Sequence, residues 1–195
     1  MEVWPGRVLE YINMNKKIIP TILIVLLGTF LRIFLNEKVA IPNFEAVTSL
    51  SLLSGSFLGG IFGAISSLLM VFFSDLYFGN TQIYLFTWSA FLLIGIIGSL
   101  IKNNSRHYVL KVSGLGLGSV LFFYLWTNFG WWLISGTYEL SFFGLIRCYV
   151  AGLAFLRNQI ISVLIFLPAF SPIFSFFSQK IFSRKSELKM AKQLL

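Results

Sequence analysis

The stretch 46-AVTSLSLLSGSFLGGIFGAISSLLMVFFSDLYF-78 decides how this chain is laid out. It is apolar from end to end, yet too long for one membrane crossing, which takes roughly 20 residues at about 1.5 Å rise through a hydrocarbon core of about 30 Å. The pair Gly59-Gly60 breaks it, and the segment reads as a helical hairpin with arms 46–58 and 61–78. The first arm is short for a crossing, so it is expected to start inside the protein and not in lipid. Ser51, Gly55, Gly59, Gly63 and Ser67 recur every four residues. Small residues at that spacing let helices approach closely where lipid gives no hydrophobic drive for association. The seam either seals the bundle internally or docks a membrane partner, and the internal use is favoured.

Outward from the hairpin, further apolar runs at 18–35, 82–101, 109–128 and 158–178 bring the expected total to six spans. The whole chain has this character: of 195 residues, 57% are apolar and 11% charged, against about 45–50% and about 25% in soluble domains. We expect an all-α membrane protein. Its parts are an N-terminal segment 1–17, a single six-helix transmembrane domain 18–178 and a basic tail 179–195. The first run is followed by 31-LRIFLNEK-38 and not by a small-residue cleavage site, so it reads as a retained span.

Charge orients the bundle. With six spans, eleven of the fifteen basic residues fall on the side of the termini, among them Lys16, Lys17, Lys102, Arg106, Lys111 and Lys180. Arg32, Lys38, Arg147 and Arg157 fall on the other. Both termini are therefore expected in the cytoplasm. A seventh span over 141-SFFGLIRCYVAGLAFLR-157 would reverse the tail and bury Arg147 mid-membrane, at about 2.5–3.5 kcal/mol. That segment is expected as an interfacial or re-entrant helix on the outer face. The net charge of +8 then needs no nucleic acid as partner; the basic tail reads as a topology signal that touches anionic membrane lipid.

In this orientation the unusual polar groups collect on the outer side. They are Arg32; Asn43 and Glu45; Asp75, the one aspartate, with Asn80; Asn128, Trp131, Trp132, Tyr138 and Glu139; and Arg147, Tyr149, Arg157 and Asn158. Ionisable groups bordering spans usually face a bundle interior or a water-filled cavity, and aromatic walls with a few placed polar groups form small-ligand sites. The plainer uses are interfacial anchoring for the tryptophans and Tyr138, pairing of Asp75 with Arg32 or Arg147, and an interhelical hydrogen bond for Asn128. Anchoring is the expectation for Trp131, ligand contact for Trp132 and Asn128. Catalysis is not expected. The sole histidine, His107, lies across the membrane from this cluster, and no metal-binding or nucleotide-cradling motif is present. No cofactor is expected either.

The run 42-PNFEAVTSLSLLSGSFLGGIFGAISSLLMVFFSDLYFG-79, with 127-TNFGWW-132 and 148-CYVAGLAFLRN-158, resembles an uncharacterised family of small integral membrane proteins. That family looks related to the substrate-binding S components of energy-coupling factor transporters. The resemblance covers roughly residues 40–165. It implies a six-helix protein of the bacterial cell membrane that captures a small, vitamin-like solute from outside. A separate transmembrane coupling subunit and ATPases would drive uptake. It also puts Asn43, Asp75, Asn128, Trp132, Tyr149 and Asn158 at the family's motif positions as substrate-binding candidates. Two departures stand beside it: the first span has only Gly28 and Thr29 as small interior residues, and no acidic residue follows Asn158 in 158-NQIISVLIF-166. The alternative is a non-transporting scaffold, such as an envelope-assembly protein, in which the outer cluster is structural.

Overall fold

Glycine sets the first fold decision. Gly59 adopts φ +95° between two helices, a conformation that costs side-chain-bearing residues dearly, and the hairpin turns there. The computed structural model describes residues 5–79, 82–102 and 105–181, and no strand occurs among them. Among the described residues six α-helices follow one another: α1 Pro5–Phe34, α2 Val47–Leu58, α3 Gly60–Phe78, α4 Tyr84–Gly98, α5 Tyr108–Ile134 and α6 Phe142–Ile181. A π-helical turn, Leu35–Val39, closes α1. Among the described residues four helices, α1, α3, α5 and α6, are long and apolar enough to cross a membrane. The chain is accordingly a membrane protein.

Helix α2 is the hub. It packs against each of the other five helices, and all of its residues but Ser56 are buried. A helix without a polar face has to be enclosed on all sides, and with 12 residues this one reaches about 18 Å. The expectation that the first hairpin arm starts inside the protein agrees with this placement. The small-residue seam lies at its contacts with α3 and α4. A Cβ on Gly55 would come within 2.0 Å of the Gly95 carbonyl oxygen, and one on Gly63 within 2.4 Å of the Gly55 Cα. Three backbones thus meet where only hydrogen fits. The seam is internal.

Three expectations need correcting. The run 82–101 is helical only from Tyr84 to Gly98. Past Gly98 the chain tightens into i→i+3 turns through Ser99, Leu100 and Ile101, and Ser56 of α2 donates to the Ile101 carbonyl. The segment 141–157 is not a separate interfacial or re-entrant helix. It is the first part of α6, a single helix of 40 residues. No proline interrupts it before Pro168. One buried stripe runs along it: Gly144, Cys148, Gly152, Gln159, Val163, Leu167, Ser171 and Phe174. Its N-terminal part is made of small residues, so the stripe lacked the apolar period that marks a packed face. Against it, α5 continues to Ile134, past the expected end at 128.

Candidate functional site

The residues that build the site come from the end of α1, the chain between α1 and α2, the first half of α4, the last turns of α5 and the first half of α6. Ala40 and Asn43 take left-handed backbone angles, φ 54° and 57°, which fold the connection back toward the helices. Asn158 of α6 holds it there, donating from Nδ2 to the Pro42 carbonyl at 2.9 Å. The Glu45 carboxylate accepts from the Thr48 amide at 2.9 Å, from the Thr48 hydroxyl, and from Gln159 Nε2 at 3.3 Å. Gln159 Nε2 also donates to Thr48 Oγ1 at 3.1 Å. The glutamine is 1% exposed, and its carbonyl oxygen Oε1 has no hydrogen-bond partner among the described residues. Burial pushes the Glu45 carboxyl above its ordinary range, against the hydrogen bonds from Thr48 and Gln159 and the charge of Arg32.

Beside this network lies a cavity of two chambers. The α5–α6 chamber, about 280 Å³, is lined by Tyr124, Asn128, Trp131, Phe155 and Leu156. The α1–α4 chamber, about 190 Å³, is lined by Arg32, Asn36, Ile41, Phe44, Glu45, Thr87 and Phe91. Asn43, Ile83, Phe123, Thr127 and Gln159 line both. Aromatic walls carrying a few convergent polar groups are the usual build of a small-solute site. A larger groove of about 440 Å³ between α1 and α6, lined by Ile19, Leu23, Phe57 and Phe174, is almost wholly apolar apart from Lys16. The candidate chemistry sits in the polar chambers.

Of the six residues singled out from sequence, Asn43 and Asn128 line the cavity. Asn128 is held by its Nδ2 bond to the Tyr124 carbonyl at 2.8 Å and lies against Gly152, whose Cβ would meet Asn128 Oδ1 at 2.4 Å. The other four make bonds that tie the helices and their connections together. Asp75 pairs with Arg32, Nη1 to Oδ1 at 2.7 Å, and accepts from Trp88 Nε1 at 2.7 Å. Trp132 donates to the Glu139 carbonyl at 2.9 Å, closing the turn after α5. Tyr149 donates to the Leu125 carbonyl at 3.0 Å, and its own carbonyl accepts from Tyr124 at 2.5 Å. Asn158 acts on Pro42. Asn80 lies outside the described residues, and Arg147 and Arg157 are exposed.

Sequence reasoning missed Tyr124, Thr127 and Gln159, and assigned Trp131 to anchoring although it lines the cavity. A signal was present. Tyr124, Thr127, Asn128 and Trp131 stand at i, i+3, i+4 and i+7, one face of a helix, whereas Trp132 is turned a further 100° away. Gln159 is a fully buried amide inside an apolar run, a costly placement that needs partners.

No curated protein and no solved structure matches the chain. Residues 12–187 match the description of a family of unknown function, DUF6580, and over that length the chain belongs to it.

Proposed function

We propose that this protein is a six-helix, S-component-like membrane protein of the bacterial cell membrane. It binds a small, vitamin-like solute from the outer face, for uptake driven by a separate transmembrane coupling subunit and ATPases. The observation that carries the reading is the two-chambered cavity, whose shared wall includes Gln159, a buried amide with an unpartnered carbonyl. Orientation follows from charge. The cavity is at the Arg32 end of α1, about 22 Å along the helix from Lys17, and Lys17 lies beside Gly59 at the opposite end. With most basic residues at that opposite end, both termini are cytoplasmic and the cavity faces out. α2, enclosed by the other helices, and α4, which turns an exposed apolar face outward, complete a six-span count.

The test is a thermal-shift screen of the purified protein against vitamins, nucleobases and metal ions, repeated with Thr127→Trp to fill the shared wall of the chambers. Stabilisation by a solute, lost in Thr127→Trp, supports binding. Pull-down of an ATPase-linked membrane subunit supports coupled uptake. A second reading, the scaffold, is favoured by the structural bonds of Asp75, Trp132, Tyr149 and Asn158. A silent screen together with co-purifying envelope proteins would replace the first reading by the second.

A further inference from the structure

We propose that the cavity is selective for a small organic amine or cation, a solute that presents N–H donors, and that it excludes carboxylates. This rests on the solute-binding reading and says which chemistry the same site accepts. The hydroxyl protons of the lining are spent within the protein. The hydroxyl of Thr127 donates to the Phe123 carbonyl at 2.8 Å, that of Thr87 to the Tyr84 carbonyl at 3.0 Å, and that of Tyr124 to the Tyr149 carbonyl. Each proton is spent on backbone, so each oxygen offers the cavity lone pairs. Gln159 spends its Nε2 on Glu45 and Thr48 and leaves Oε1 unanswered at 1% exposure. The Glu45 carboxylate has about four lone-pair sites, and three are taken by Thr48 and Gln159.

Arg32, the cation of the lining among the described residues, does not offset this surplus. Arg32 is matched by Asp75 at 2.7 Å, and its Nη1 also donates to Ser74 and the Val71 carbonyl; its Nε and Nη2 and the Trp131 indole N–H are the donors left in the lining, fewer than the acceptors they face. With Arg32 paired to Asp75 behind the lining, Glu45 is the acid of the lining that has no ion-pair partner among the described residues. The amides of Asn36, Asn43 and Asn128 can donate or accept, so they do not discriminate. Phe91, Phe123, Trp131 and Phe155 supply aromatic rings to the two chambers, and aromatic rings attract cations through the ring quadrupole. A carboxylate would meet more lone pairs than donors and a second acid; an amine would donate to those lone pairs and pair with Glu45.

Three probes that share one ring test this on the full chain in detergent: tryptamine, indole-3-acetate and 3-methylindole, by calorimetry. We expect tryptamine to bind at least tenfold tighter than indole-3-acetate, and Glu45→Gln to lower tryptamine affinity about tenfold. Gln159→Met, which removes the unanswered carbonyl, should weaken tryptamine and spare 3-methylindole. If either variant fails to fold, the ranking of the three probes on the natural sequence decides. Equal or tighter binding of indole-3-acetate overturns the proposal and leaves a solute-binding cavity standing. A tryptamine signal unchanged in both variants assigns it to detergent partition and also overturns the proposal. If all three probes are silent, the charge of any hit from the solute screen decides: an amine supports the proposal, a carboxylate overturns it. Silence in both experiments overturns this proposal and the binding reading together.

Discussion

Arg32 and Asp75 meet at 2.7 Å, with side chains 22% and 12% exposed, and so join the end of α1 to the end of α3. The contact fixes one wall of the α1–α4 chamber, because Arg32 lines it while Trp88 of α4 donates to the other carboxylate oxygen. Three helices are thereby registered by one aspartate.

Removing one partner strands a charge that is largely withdrawn from water. We expect Asp75→Ala to cost about 3 kcal/mol, the lower end of the range for breaking a buried pair. The double change Arg32→Leu with Asp75→Leu should cost less than either single one, since no charge is left unanswered. Denaturant unfolding in detergent measures both. A double variant less stable than each single would show that the pair does more than cancel charge.

The glycine seam makes a contrast within one chain. Gly55→Ala drives a methyl into the Gly95 carbonyl at 2.0 Å, a backbone atom that cannot rotate away, and should cost about 1–3 kcal/mol. Gly118→Ala meets nothing within 4 Å and sits inside α5, so it should be neutral or stabilising by up to about 1 kcal/mol. Thermal unfolding of the two variants side by side checks the prediction; equal losses would contradict it.

Local chemistry was legible where one residue type answers one geometric need. The hairpin break was readable because only glycine sits easily at φ +95°, and the enclosure of α2 followed from its length. The continuity of α6 was not readable: Gly144, Cys148, Gly152 and Gln159 form its buried stripe, and small or polar residues give no apolar period to detect. The roles of Trp131 and Trp132 turned on how far α5 runs beyond Asn128. One more turn puts Trp131 on the Asn128 face and leaves Trp132 to close the following turn. Asp75 showed its need for a partner in the sequence. Which arginine answered was decided by the packing of α1 on α3.

The proposed orientation can be read by labelling. Cys148, the single cysteine, is buried, so a Cys148→Ser background is blank to maleimides. Glu139→Cys, exposed after α5, should react with a membrane-impermeant maleimide in intact cells. His107→Cys, exposed in the connection before α5, should react only after permeabilisation. The reverse pattern would turn the cavity toward the cytoplasm.

Glu45 should leave a signature in the pH dependence of stability. Burial raises its carboxyl above the usual 4.5 in the folded state, so above that pH the folded chain holds a proton which the unfolded chain releases. Stability is then fullest below about 4.5 and falls as pH climbs toward the folded value, beyond which the loss is constant. The hydrogen bonds from Thr48 and Gln159 and the charge of Arg32 oppose the effect and narrow the window. Glu45→Gln cannot titrate and should lose this slope while retaining an oxygen to accept from Thr48. Thermal unfolding of both proteins in detergent across pH 4.5 to 8 tests it: the difference between them should grow with pH, in favour of the glutamine variant. Parallel curves would mean that Glu45 is as well solvated in the folded chain as in the unfolded one.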